Sequence, residues 1–315
     1  MMRGALFRFT GRGSWGGFRR RYTESNLMEK KGLWLQRWMH EENLEDSEVR
    51  QLLWQAQCNT AYWHGSSGGI YLPHLREAIW ARLLQAQEAL SEMLDGFKEE
   101  IEDLDADGRE EVVVHNQEFS YGIAPAQGGV CYEWSLLPPK VNLGNTLTRR
   151  LESGWDQEEE KGAERRQVLD GQERHIFMDR FLERHVSTEE LAEGRYRELG
   201  DFAGQPYKLV QTVKRAESYE VTLERLGAVW VGNAAQPVHL TKRYRWSTDL
   251  RCLQVSWVLK NVSPIPFATV LATELNLGLP VGPGEGRTYR LSGLEERRRG
   301  LAELWYEGQA GGAGD

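Results

Sequence analysis

The stretch that decides the fold reads Ala56-Gln-Cys-Asn59-Thr-Ala-Tyr62-Trp63-His64-Gly65-Ser-Ser-Gly-Gly-Ile-Tyr-Leu-Pro-His-Leu-Arg76. Apolar residues recur at helical spacing on both sides of it, whereas its own glycines break the helix into a turn. The turn places aromatic rings beside an amide and an imidazole, and these groups suit the apolar faces and the hydroxyls of a sugar. The candidate substrate-binding residues are therefore Asn59, Tyr62, Trp63, His64 and Gly65, where Gly65 lets the backbone approach closely. The alternative is that Trp63 closes the helical core and His64 caps the end of the helix.

Helical spacing extends outward from this stretch over residues 26–94. The pattern falls into three blocks, with Ser47 as a plausible N-cap of the second block and Pro73 in the first turn of the third. Most of the tryptophans, Trp54 among them, are expected on the apolar sides of these segments. The sequence thus predicts a small helical bundle in its first third.

The period changes from helical to alternating after residue 108, and β-branched and aromatic residues become frequent. This pattern predicts a β-sandwich in the second part of the chain, so that the fold class is α+β with more than one domain. The strand candidates are residues 112–114, 119–123, 130–136, 219–226, 238–246, 251–259 and 268–277.

Several segments resemble one known family. Residues 59–65, 68–69 and 71–76 resemble the last signature region of the 4-alpha-glucanotransferases and alpha-amylases of glycoside hydrolase family 57. The likeness covers roughly residues 13–290. Upstream it includes Gly13 to Lys31, at that family's junction between catalytic barrel and helical middle domain, and downstream, in its C-terminal β domain, it includes residues 105–112, 128–133, 142–150 and 272–277.

The resemblance implies a domain organisation. Residues 1–22 are expected to be a remnant of the junction with the catalytic domain, and residues 23–102 to be the helical middle domain. Residues 103–315 are expected to form a galactose-mutarotase-like β-sandwich that is incomplete at its C-terminus.

The resemblance also implies a chemistry. The family cleaves or transfers α-1,4-glucan with two carboxylates, in a double displacement that retains the anomeric configuration. Those carboxylates lie in motifs of the barrel, and no matching motif occurs in this sequence. The chain is therefore expected to be a non-catalytic portion that contacts malto-oligosaccharide or starch-like glucan, with a separately encoded catalytic barrel as a possible partner.

Two alternatives remain open at the level of sequence. The chain could be a stand-alone module that binds malto-oligosaccharides. Alternatively, Gly65-Ser-Ser67-Gly-Gly69 matches the spacing of a nucleophile elbow, with Ser67 as the nucleophile of a serine hydrolase, although the preceding segment has helical rather than strand period.

Alternating acidic residues lie between the helical and the β segments. Asp103, Asp105 and Asp107 are followed by a turn glycine and by Glu111, a spacing that lets carboxylate oxygens converge on calcium. We expect a structural calcium that clips the two domains together. The alternative is a polar turn whose acids are separated by water.

Composition excludes other classes of protein. The net charge of −8 and the isoelectric point of about 5.6 disfavour nucleic acid as a partner. No apolar run approaches the roughly 18 residues of a membrane span. The three cysteines are far apart and lack metal-ligand spacing, which indicates reduced thiols and a cytoplasmic location. Residues 1–22 are rich in arginine and contain no acidic residue, a composition also seen in organellar transit peptides, but the resemblance to the family junction explains Gly13 to Lys31 better.

Overall fold

The structure is a computed structural model that describes residues 14–44, 47–63, 68–151, 169–248 and 252–278. Helices fill its first part. Their bounds are α1 Trp15–Arg21, α2 Thr23–Glu41, α3 Ser47–Gln55 and α4 Pro73–Ser91, and a short α5, Thr188–Ala192, follows much later. Ser14 caps α1 by accepting a hydrogen bond from the amide of Gly17 at 3.1 Å, and Pro73 opens α4. In the described residues, no helix is both long and apolar enough to cross a membrane.

The remaining described residues form antiparallel sheets. The strands are β1 Lys98–Glu102, β2 Glu111–His115, β3 Phe119–Ala124, β4 Val130–Leu136, β5 Val141–Asn142, β6 Ile176–Leu182, β7 Lys208–Lys214, β8 Ser218–Val231, β9 Ala234–Ser247, β10 Cys252–Asn261 and β11 Val270–Leu275. One sheet has the order β1-β2-β3-β4-β6-β11, with β5 paired to β4, and the other has the order β10-β9-β8-β7. The α+β class with antiparallel sheets is confirmed.

Strand β2 shows how the layers are stacked. All five of its residues are buried, as expected for an apolar strand that is covered on both faces. Val112 and Val114 belong to the core that the two sheets share, whereas Val113 belongs to the core of the helices. The helices therefore cover the outer face of the larger sheet, and the smaller sheet covers its inner face.

A buried ion pair joins the helices to the larger sheet. Lys31 of α2 donates to Glu133 of β4 at 2.8 Å and to Ser120 of β3 at 3.1 Å. Ser135 donates to the same carboxylate at 2.8 Å. The ammonium group also lies 4.5 Å from the ring centroid of Trp34. These contacts fix the position of α2 on the sheet.

Helix α1 lies within residues 1–22, the segment expected to be a junction remnant. The structure departs from the sequence expectations at three points. Strand β1 lies before the expected boundary at residue 103, yet it pairs with β2. Strands β6 and β7 were not among the predicted strands. Trp54, expected in the core, is 64% exposed.

Candidate functional site

An open cleft runs along the helical part of the molecule. It has a volume of about 880 Å³ and lies between the first helices and the segment that follows α3. Its lining mixes aromatic and aliphatic side chains with three amides and one carboxylate. The lining residues are Trp15, Phe18, Glu29, Gly32, Leu33, Gln36, Leu53, Ala56, Gln57, Asn59, Tyr62, Trp63 and Leu83.

Two of the predicted site residues lie at this cleft with accessible side chains. Trp63 is 38% exposed, so its indole is not sealed in the helical core. Asn59 is exposed and lies in the 3₁₀ turn Asn59–Ala61, four residues before the tryptophan. The amide and the indole line the same opening, as the sequence pattern predicts.

Tyr62 reaches the cleft but is largely structural. Its side chain is buried in the core of the helices, and its hydroxyl donates to the carbonyl of Ala56 at 2.8 Å. Burial raises the pKa of the phenol, so the group stays protonated. Only the ring of Tyr62 is therefore available to a ligand. His64 and Gly65 lie outside the described residues.

The structure adds cleft residues that sequence reasoning missed. Trp15 on α1 is 44% exposed and stacks on Phe18 with a centroid distance of 5.3 Å and an interplanar angle of 7°. Leu33, Gln36 and Gln57 also line the cleft. Trp15 gave a signal in the sequence because it belongs to the segment that resembles the junction between barrel and middle domain. Gln36 lies within α2 and Gln57 in the turn after α3, and neither stands out in the sequence.

The carboxylate of the cleft is already paired. Glu29 forms an ion pair with Arg19, one helix away, and both side chains are partly exposed. A retaining glycosidase needs two carboxyl groups about 5 to 5.5 Å apart. Among the described residues that line the cleft, Glu29 is the one acidic side chain, so the lining does not contain such a pair.

The acidic loop before β2 brings three of the four predicted metal ligands together. Asp103, Asp105 and Glu111 each offer an oxygen within 4.8 Å of the others. Two oxygens bound to one calcium at about 2.4 Å lie at most about 4.8 Å apart, so the set fits the ion. Asp107, the fourth predicted ligand, lies outside this cluster, and its carboxylate accepts from the amide of Arg109 at 2.8 Å.

The clustered carboxylates crowd one another. Burial and the neighbouring carboxylate of Asp107 raise the pKa of Asp105 to about 6. Burial and the carboxylate of Asp105 raise the pKa of Glu111 to about 8, even though the amide of Leu104 donates to Glu111 at 2.8 Å. A bound divalent cation would relieve this repulsion. The carboxylate of Asp103 also accepts from the amides of residues 107 and 108, so the loop is ordered by its own backbone.

The likeness to known proteins covers both parts of the molecule. The family model for the middle domain of alpha-amylase/4-alpha-glucanotransferase matches residues 13–90. The family model for the C-terminal domain of alpha-amylase/4-alpha-glucanotransferase matches residues 103–167 and 156–302, which is more than half of the chain. The chain belongs to the alpha-amylase/4-alpha-glucanotransferase family. The resemblance stated from the sequence is thereby confirmed.

Individual members of the alpha-amylase/4-alpha-glucanotransferase family agree with this assignment. The 4-alpha-glucanotransferase of Thermococcus kodakarensis is 34% identical over 75% of this chain and 37% of its own length. Alpha-amylase 1 of Dictyoglomus thermophilum is 30% identical over 89% of this chain and 42% of its own length. The crystal structure of the 4-alpha-glucanotransferase of Thermococcus litoralis superposes with a TM-score of 0.73 at 31% identity, over 88% of this chain and 40% of that one. The chain thus spans about two fifths of these relatives.

The serine hydrolase alternative gains no support. Ser67 lies outside the described residues, and the described segment before it, residues 47–63, is helix α3 followed by a 3₁₀ turn. A nucleophile elbow requires a strand at that place.

Proposed function

We propose that this chain supplies the substrate-binding wall and the scaffold of an enzyme that processes α-1,4-glucan, of the 4-alpha-glucanotransferase or alpha-amylase type. The cleft beside Trp63 is the observation that carries the proposal. Glucose rings present apolar C–H faces that stack on indole, and they present hydroxyls that pair with amides. Trp15 and Trp63 offer the first kind of contact, and Asn59, with neighbouring glutamines of the cleft, offers the second.

The proposal assigns the acid chemistry to another domain. The described lining of the cleft contains one paired carboxylate, and retention of configuration needs two. We assign the catalytic pair to a barrel domain that lies over the cleft. We assign the two sheets to the galactose-mutarotase-like type of β-sandwich. The thiols of Cys58, Cys131 and Cys252 are free, which fits a cytoplasmic enzyme.

Trp63→Ala is expected to weaken the binding of maltoheptaose about tenfold, because burying an aromatic ring contributes about 1.5 to 3 kcal/mol and this indole is already partly covered. Isothermal titration calorimetry of the full chain measures the dissociation constant. Trp54→Ala is the matched control, since Trp54 is 64% exposed on α3 and does not line the cleft. Equal affinities of the two variants would contradict the assignment of Trp63 to the binding wall.

The same titration tests the second candidate function, that of a stand-alone module that binds malto-oligosaccharides. The aromatic rim of the cleft favours this candidate because stacking needs no catalytic partner. Affinity of the chain alone in the micromolar range would favour the module. Weak affinity that rises when the barrel of a 4-alpha-glucanotransferase is added would favour the enzyme wall.

We also propose that Asp103, Asp105 and Glu111 hold a structural calcium. The loop joins the helices, because the side-chain amide of Asn26 on α2 donates to the carbonyl of Asp105 at 2.6 Å. Millimolar calcium is therefore expected to raise the melting temperature by several degrees, through binding to the folded state. Differential scanning calorimetry with and without calcium measures the shift.

The matched variants of the metal test lie in the same loop. Asp105→Asn removes a ligand charge and should abolish the calcium response, whereas Asp107→Asn should keep it, because Asp107 lies outside the cluster. A response that survives Asp105→Asn, or the absence of a response in the unmodified chain, would remove the metal site.

A further inference from the structure

The side chain of Arg76 is an unusual buried cation between the helices and the sheets. Arg76 lies in the first turn of α4, and it is 5% exposed. Its Nε donates to the side-chain oxygen of Asn145 at 3.1 Å, and another guanidinium nitrogen donates to the carbonyl of Ile70. The guanidinium thus joins the segment after β5 to the turn that precedes α4.

The turn that Arg76 holds is bonded directly to the cleft tryptophan. The amide of Ile70 donates to the carbonyl of Trp63 at 3.0 Å. The residue before this tryptophan is fixed as well, because the hydroxyl of Ser25 donates to the carbonyl of Tyr62 at 2.8 Å. Hydrogen bonds therefore run without a break from Asn145 through Arg76 and Ile70 to the backbone of Trp63.

Asn145, the end of this connection at the larger sheet, is held by contacts with the sheet backbone. Asn142 of β5 is buried, and its side-chain oxygen accepts from the amides of Trp134 and Gly144 at 3.2 and 2.7 Å. The amide of Asn145 in turn donates to the carbonyl of Asn142 at 3.2 Å. On the other side, a Cβ added to Gly278 would lie 2.2 Å from the carbonyl oxygen of Asn145. The backbone at Asn145 therefore cannot shift independently of the sheet.

The hydrogen bonds of Arg76 fix the relative position of two segments more than they stabilise the fold. Among the described residues, both acceptors of Arg76 are neutral oxygens, and Glu24 and Glu77 act on the guanidinium only at longer range. Burial lowers the pKa of Arg76, which reflects the cost of taking the cation out of water. A buried cation without a directly bonded carboxylate contributes little net stability. Its two donors do, however, define one geometry between two distant segments.

We propose that Arg76 is a positioning residue that couples the β part of the molecule to glucan binding by fixing the backbone of Trp63. This inference rests on the function proposed above. A change at Asn145, which does not line the cleft, should then alter both the surroundings of the Trp63 ring and the affinity for glucan.

The experiment replaces Asn145 in the full chain labelled with 5-fluorotryptophan. The ¹⁹F resonance of Trp63 is the one that disappears in Trp63→Phe. Asn145→Ala removes the acceptor and is expected to shift or broaden that resonance, and to weaken maltoheptaose binding about fivefold, the lower end of usual coupling between sites. Asn145→Asp keeps an acceptor of the same shape, so the Trp63 resonance and the affinity for maltoheptaose should stay close to those of the unmodified chain. Arg82→Gln, on the exposed side of the same helix, is the control for α4.

The outcomes separate this inference from the function on which it rests. If Asn145→Ala lowers the melting temperature but leaves the Trp63 resonance unmoved, the role of Arg76 is structural only and the inference is overturned. It is also overturned if the resonance moves while the affinity stays unchanged. If the unmodified chain does not bind maltoheptaose, either alone or with the barrel of a 4-alpha-glucanotransferase added, the proposed function fails instead, whatever the ¹⁹F spectra show.

Discussion

Asp179→Ala is expected to lower the free energy of unfolding by about 4 kcal/mol, because it leaves a buried lysine without its counter-charge. The carboxylate of Asp179 on β6 is almost completely buried, and Lys242 on β9 donates to it at 2.9 Å. Trp257 at 2.8 Å, Thr273 at 3.2 Å and Tyr207 at 3.2 Å also donate to it. Loss of this one carboxylate would leave four donor groups without this acceptor.

Urea unfolding followed by circular dichroism measures this effect. After the replacement, Lys242 would keep the carbonyl of Phe177 as an acceptor, which does not neutralise the ammonium group. Glu193→Ala is the control, because Glu193 pairs with Arg195 at an exposed site and such pairs contribute about 0 to 1 kcal/mol. A loss of less than about 1 kcal/mol in Asp179→Ala would show that the pair does not stabilise the two-sheet core.

Lys31→Met is expected to lower the free energy of unfolding by about 3 kcal/mol, the lower end of the range for breaking a buried ion pair. The carboxylate of Glu133 would then remain buried, with Ser135 as a neutral donor. The effect is smaller than at Asp179 because fewer groups lose their partner. The contact of the ammonium group with Trp34 would also be lost. Denaturant unfolding of the helical and sheet signals measures the change.

Two further variants show whether the loss of stability in Lys31→Met comes from the broken ion pair. Lys31→Met combined with Glu133→Leu removes both charges, and it should recover most of the lost stability, since an apolar pair of similar volume is often neutral or better. Lys30→Met changes the neighbouring, partly exposed lysine and should have an effect within about 0.5 kcal/mol. If the double variant is no more stable than Lys31→Met, the ion pair is not the origin of the loss.

Strands with strong local signals were predictable. Val130–Leu136 has the predicted bounds. The first four residues of β10 alternate between exposed Cys252 and Gln254 and partly buried Leu253 and Val255. Alternation follows from the pleat of a strand that is covered on one face, so it is visible in the sequence itself.

Other strands lacked that signal for physical reasons. Strand β6 carries Asp179 and Arg180 side by side, and its register shifts opposite the step from Glu274 to Leu275, so apolar residues do not alternate along it. Asp179 is tolerated there because Lys242 of the other sheet and three further groups donate to its carboxylate. Strand β1, Lys98–Glu102, is a charged strand at the edge of its sheet. Such a strand lacks the alternating apolar pattern from which strand pairing is predicted.

The candidate site was predictable in part. Trp63 and Asn59 were identified because an aromatic ring and an amide follow each other at a broken helix. Trp54 was wrongly assigned to the core, because the rotation of a short helix against its neighbours is not set by its own periodicity. Gln36 and Gln57 gave no signal, since their side chains become relevant only when α2 and the segment after α3 meet at one opening.

The sequence by itself determined the family, the division into helices and antiparallel strands, and the residue types at the broken helix. These properties depend on local backbone geometry and on short patterns that neighbouring residues share. The tertiary structure decided which of the loop acids converge, which tryptophans face the cleft, and how Arg76 and Asp179 are paired. Such pairings join residues that are distant in the chain, and they are selected because a buried charge is stable only where packing brings a partner to it.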